Sequence, residues 1–147
     1  MGLEMCPIRR SWIQGRLGSL RGHRRSLEDT RDRLDTELER LREARDSITN
    51  ELSDHSSFRS EVRHAISLIE RSRFRGDTRN QMSERLVTMR DYLIKSRDHH
   101  QGNRNQVREK ITAHQSSRTQ TINRLAIVNN EIVALEQELA TGIRTIW

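Results

Sequence analysis

Between Ile13 and Ile69 an aliphatic residue returns at almost every seventh position. Stepping by seven from Ile13 passes through Leu20, Leu27, Leu34, Leu41, Ile48, His55, Val62 and Ile69. A companion seam runs through Leu17, Arg24, Arg31, Leu38, Arg45, Leu52, Arg59 and Ile66. One register held over about eight heptads restricts the segment to a long helix packed along another helix, because a seven-residue repeat keeps one stripe facing a partner over that distance. The arginines of the companion seam have two readings. Their stems cover apolar surface while the guanidiniums reach water, or Arg24, Arg31 and Arg45 pair with acidic side chains of a partner helix and set its register.

Composition narrows the choice further. Of the 147 residues, 32% are hydrophobic, 33% charged and 3% aromatic, against about 45–50% apolar (glycine included) and about 25% charged in ordinary globular domains. Such a chain is short of material for a single-core domain. One proline and seven glycines argue against a turn-rich β sandwich or barrel. The single cysteine, Cys6, cannot form an internal disulfide. No apolar run has the length of a secretory signal or a membrane span, so the expectation is a protein made in the cytoplasm with no integral membrane segment.

The stretch Arg71-Ser72-Arg73-Phe74-Arg75-Gly76-Asp77-Thr78 interrupts the heptads. Gly76 suits a positive φ at a helix C-cap, and Asp77 or Thr78 suits the N-cap of the next helix. Aliphatic spacing then resumes at Met82, Leu86, Met89 and Leu93, continues at Val107 and Ile111, and runs through Ile122, Leu125, Val128, Ile132, Leu135 and Leu139 to Ile143. The polar segment 98–103 could form a loop, but Leu86, Leu93 and Val107 keep multiples of seven across it, which favours one helix with a soft spot. The organisation expected is an N-terminal segment 1–12 and one helical-hairpin domain, 13–143. Within it helix one covers about 13–72, the turn 73–78 and helix two about 79–143.

Folded at the turn, residue i stands opposite roughly residue 151 − i. Ile69 then meets Met82, Val62 meets Met89, Leu27 meets Leu125, Leu20 meets Ile132 and Ile13 meets Leu139. The middle fits less well, with Ile48 and Leu52 facing His99–Arg104 and Leu34 facing Arg118. At ~1.5 Å per residue each arm is about 90 Å long. The fold class expected is all-α: a long antiparallel, coiled-coil-like hairpin that partner helices complete into a bundle. The partner-binding positions expected are Leu20, Leu27, Leu34, Leu41 and Ile48 on helix one, with Leu125, Val128, Ile132, Leu135 and Leu139 on helix two. Ile127 and Val133, which fall off the seam, add a second apolar face suited to docking. A terminal apolar cluster is expected from Trp12, Ile143, Ile146 and Trp147.

Catalytic chemistry finds little support, and no enzyme is expected. Glu61-x-x-His64 has the spacing of half a di-metal carboxylate site, but such sites need a second copy and two further carboxylates. His99 and His100 are adjacent and point about 100° apart on a helix. No nucleophile elbow, P-loop or dinucleotide fingerprint occurs, so no catalytic residue, metal or cofactor is assigned. Gly18-x-x-x-Gly22 sits among arginines, unlike a membrane-dimer motif. The basic residues, 27 Lys+Arg against 21 Asp+Glu, include only two lysines, Lys95 and Lys110. Arginine suits phosphate, yet there is no nucleic-acid-binding motif and no aromatic platform for bases, and residues 28–46 alternate acid and arginine as a solvated face does.

The hairpin, with Phe74-Arg75-Gly76 at its bend, resembles the WXG-motif superfamily of type VII secretion. It looks most like the small helper proteins made alongside LXG polymorphic toxins, with the triplet at the family's Trp-x-Gly positions and Phe58, Tyr92 and the Ile111–Leu139 stretch resembling the rest. The resemblance implies a non-enzymatic adaptor, or targeting chaperone, that binds the helical N-terminal domain of a secreted LXG-type toxin together with a second small helper. The superfamily's Tyr/Phe-x-x-x-Asp export signal is missing, since Tyr92 is followed at that spacing by Ser96, so a partner would supply it. The resemblance places the chain in the bacterial cytoplasm, with co-secretion beside its cargo and homo-oligomerisation in the cargo's absence as further expectations. Two alternatives stand beside it: a coiled-coil stalk of another export apparatus, and an arginine-rich helical protein that binds nucleic acid.

Overall fold

The computed structural model describes residues 5–72 and 75–142 and contains two α-helices packed against each other as a hairpin. Helix α1 spans Pro7–Arg71 and α2 spans Asp77–Thr141. Pro7 stands at the first helical position, where its missing N–H costs nothing, and the Cys6 carbonyl accepts the Arg10 N–H at 3.0 Å. The helix therefore begins six residues before the first seam aliphatic, and residues 7–12 are not a separate N-terminal segment. At its far end the Ser72 N–H and hydroxyl both donate to the Ile69 carbonyl, at 3.2 and 2.7 Å, which tightens the last turn.

Gly76 has the positive φ expected of it, 97°, but at the start of α2 and not at the end of α1. Its carbonyl accepts the Asn80 N–H at 3.2 Å, and Asp77 puts a carboxylate in the first turn, where the helix dipole favours it. The left-handed glycine that closes a helix is Gly142, at φ 69°, whose N–H donates to the Glu138 carbonyl at 2.8 Å. Residues 98–104 are helical, so α2 has no break there. Phe74, the aromatic of the turn triplet, lies outside the described residues.

The chain divides into two compact units. Unit 1 comprises Met1–Leu38 and Ala113–Trp147; unit 2 comprises Glu39–Thr112. In unit 1 the buried aliphatics of α1 (Ile13, Leu17, Leu20, Leu27, Leu34 and Leu38) and of α2 (Leu125, Val128, Ile132 and Leu135) form the interior, and Ile13 is fully enclosed. Met5 and Leu139 pack against it. In unit 2 the described aliphatics buried to the same degree are Val62, Leu93 and Ile111. Seam positions there are shared with half-buried polar residues: His55, Arg45 and Arg59 on α1, and His100, Arg90, Arg97 and Arg104 on α2. Met82 and Met89 are about half exposed, while Leu86 and Leu93 carry the seam on that side.

Candidate partner-binding faces

Ion pairs across the two helices report the register directly. In unit 1 Arg9 grips Glu138 with two bonds of 2.8 and 2.9 Å, Arg16 grips Glu131 at 2.9 and 3.3 Å, and Arg21 reaches Glu136 at 3.0 Å. Further along, Arg118 donates to Asp35, and His114 Nε2 lies 2.7 Å from Glu37. Residue numbers sum to 147 at Arg9/Glu138 and Arg16/Glu131, 157 at Arg21/Glu136, 153 at Asp35/Arg118 and 151 at Glu37/His114, scattered about 151, and within unit 2 to 151 at Glu51/His100 and His55/Ser96. The antiparallel register read from the heptads is the observed one in both units.

Within the hairpin itself, the arginines expected to set register make no bond to the opposite helix among the described residues. Arg31 and Arg45 donate to Asp32 and Asp46, the next residues on their own helix, and Arg24 is half-buried on the seam without an ion pair among the described residues. Within the hairpin the seam arginines cover apolar surface with their stems, while off-seam Arg9, Arg16 and Arg21 make the interhelical bonds. Hydrogen bonding to Glu138 raises the Arg9 pKa above its usual value, against the opposing effect of desolvation. Arg16 is raised in the same way by its hydrogen bond to Glu131 and then by that residue's charge. The Arg9 guanidinium also lies 4.4 Å from the centre of the Trp12 ring, a cation–π contact that holds this half-exposed indole against the helix.

Most of the positions expected to bind a partner are occupied by the hairpin itself. Leu20, Leu27, Leu34, Leu125, Val128, Ile132 and Leu135 are buried between its own helices. Leu41, Ile48 and Leu139 are half-buried. A closed hairpin cannot offer the buried set to another protein. Ile127 and Val133 differ: they are 67% and 50% exposed, on the outside of unit 1. Val133 lies on a stripe spaced 4-3-4-3-4 along α2, formed by Ile122, Ala126, Asn129, Val133, Glu136 and Ala140, every member exposed. Of the expected terminal cluster, Trp12 is on the surface, while Ile143, Ile146 and Trp147 lie outside the described residues. Glu61 and His64 are both exposed on α1.

A second outward face escaped the sequence reading. On α1, opposite the buried seam, Ile8, Ser11, Trp12, Gly15, Gly18, Ser19, Gly22 and Ser26 are all exposed. Each lies within about 60° of Gly15 on a helix of 3.6 residues per turn. The face is uncharged although the helix around it is arginine-rich: residues 5–27 hold six arginines and no acid. The three acids of α2 between Ala113 and Gly142 pair with Arg9, Arg16 and Arg21, whereas Arg10, Arg24 and Arg25 have no ion pair among the described residues. The glycines have no reason inside the hairpin to be glycine. A Cβ at Gly15, Gly18 or Gly22 would meet nothing within 4 Å, and none has a positive φ. The only signal of this face in the sequence is the Gly18-x-x-x-Gly22 spacing.

The faces suit the close approach of another helix: small residues admit its backbone, a tryptophan and an isoleucine give it apolar area, and flanking arginines favour acidic edges. No described helix is long and apolar enough to cross a membrane. No protein-family model matches the chain, and no curated protein or solved structure matches it.

Proposed function

We propose that this protein is a non-enzymatic adaptor whose unit 1 seats the helices of a partner on its outer faces. The supporting observation is the uncharged face from Ile8 to Ser26. Three glycines inside a helix each cost about 1 kcal/mol relative to alanine, and the hairpin gains no packing from them. A partner helix that lies close against them accounts for their presence. Following the resemblance to the type VII helpers, the partner is the helical N-terminal domain of an LXG-type toxin, with a second small helper alongside. The glycine face with Ile8 and Trp12, and Ile127 and Val133 on α2, then supply contact area, and Arg10 and Arg25 orient an acidic partner helix.

The test is affinity capture from a nuclease-treated lysate of the native host, eluted by a salt ramp and identified by mass spectrometry. The adaptor reading expects one or two helical proteins, one carrying a separate C-terminal toxic domain, held through high salt. Loss of everything captured to nuclease and moderate salt favours the arginine-rich nucleic-acid alternative, because phosphate contacts weaken steeply as salt rises. Capture of an ATPase ring in place of cargo favours the export-stalk alternative.

A further inference from the structure

Unit 2 carries a side-chain arrangement that the adaptor reading does not use. His55 on α1 and His100 on α2 face each other across the helix pair, with ring centroids 5.3 Å apart and planes at 48°. Each ring has one nitrogen near an oxygen of the opposite helix. His55 Nε2 is 3.4 Å from Ser96 Oγ, and His100 Nδ1 is 3.7 Å from Glu51 Oε2. The other nitrogen of His55, Nδ1, is enclosed and has no hydrogen-bond partner. An enclosed polar atom left without a partner weakens the fold around it and calls for an explanation.

We propose that His55 and His100 form a two-imidazole clip for a borderline transition-metal ion such as Zn2+, Ni2+ or Cu2+, with water completing the coordination. The ring separation fits. With metal–nitrogen bonds of ~2.0–2.1 Å, two imidazoles on a tetrahedral ion have centroids about 5.2 Å apart; the observed value is 5.3 Å. The opposite nitrogens fit as well, because metal-bound histidine characteristically gives its second N–H to an oxygen acceptor that fixes the ring. The Ser96 hydroxyl stands in that position for His55, at 3.4 Å, and the Glu51 carboxylate, 3.7 Å from His100 Nδ1, lies just beyond hydrogen-bond reach of it. Imidazole ligands select zinc, copper and nickel over magnesium or calcium.

Two features limit the affinity. No group of three or more His, Cys, Asp or Glu side chains among the described residues is arranged to hold a metal ion. The clip therefore has only two protein ligands, and the ion exchanges. Arg104, one turn beyond His100, has an enclosed Nε without a partner and sets a positive charge nearby, opposed by the Glu51 carboxylate. An ion bound here joins α1 to α2 in the unit with the fewer buried aliphatics, so its expected consequence is a firmer unit 2.

The experiment is calorimetric titration of the untagged full chain with Zn2+ and with Ni2+ in a non-coordinating buffer, alongside NMR of the histidine ring protons. The expected result is one ion per chain, preferential broadening of the His55 and His100 signals by Ni2+, and a higher unfolding midpoint with metal. His55→Gln and His100→Gln each weaken binding at least about tenfold, which is about 1.4 kcal/mol. His99→Gln leaves it unchanged, since His99 Nε2 faces Asn103 at 3.3 Å although its ring centroid lies 6.0 Å from that of His100, and Arg104→Gln tightens it. The proposal is overturned by the absence of saturable binding up to about 1 mM metal, an affinity near 4 kcal/mol, or by equal broadening of all six histidines. The NMR readout needs no variant, so it decides the matter even if a substitution disturbs folding.

Discussion

Replacing Gly15, Gly18 and Gly22 together by alanine tests whether the α1 outer face is vacant in the isolated protein. All three have ordinary helical backbone, and the added Cβ atoms meet no atom within 4 Å. Each substitution therefore brings the full helix-propensity gain of ~0.8–1.0 kcal/mol with no steric cost, about 2.4–3.0 kcal/mol for the three. A chain of this length shifts its midpoint by about 3 °C per kcal/mol, so the triple variant should melt about 7–9 °C higher. Circular dichroism at 222 nm, followed on heating and in urea at two protein concentrations, reads the change. A triple variant less stable than the parent refutes the reasoning, because the added methyl groups would then be meeting something. If that loss grew with protein concentration, the occupant of the face would be a second copy of the chain.

Three other outcomes follow from the same geometry. Ile13→Ala removes three carbons from a fully enclosed site and should cost about 3–4 kcal/mol by urea unfolding, while Ile8→Ala, at 80% exposure, should stay within about 0.5 kcal/mol. Equal effects would mean that Ile13 is not in the core. Ile127→Glu with Val133→Glu should leave the melting curve within about 1 kcal/mol of the parent but weaken capture of the helical partner; unchanged capture removes that side of α2 from the docking surface. Amide hydrogen exchange should be faster in Glu39–Thr112 than in the helices of unit 1, since buried aliphatics are few there. Uniform protection along both helices would contradict the difference between the units.

The heptads made the helices, the turn and the antiparallel register legible, because a seven-residue repeat in two segments leaves few ways to bury both stripes. Three particulars were not legible. The start of α1 was placed too late because Pro7–Trp12 contributes no seam aliphatic, and the position of a proline at the first helical residue had to be seen. The leucines assigned to a partner turned out to close the hairpin, since periodicity shows that a stripe is buried but not which chain buries it. Leu20 against Ile132 serves an internal core as well as it would an external one. The His55–His100 pair was hidden for the opposite reason. His55 looked like a lapse in one seam and His100 like half of an adjacent pair, and only the cross-helix register brings them together. Likewise, the Gly18/Gly22 spacing carries no meaning on its own until the empty space around both residues, and around Gly15, is visible.

The most direct test of the central claim is the affinity of the captured helical domain, purified, for the parent chain and for Gly18→Leu. The side chain at position 18 points away from the buried seam into open space, so the variant should keep the parent's helicity and at least its stability. If a partner helix lies against this face, the bulk of leucine forces it outward at a cost of ~1–3 kcal/mol, and affinity falls about ten- to a hundredfold. Equal affinity for parent and variant, with both fully folded, would show that the glycine face is not where the partner binds.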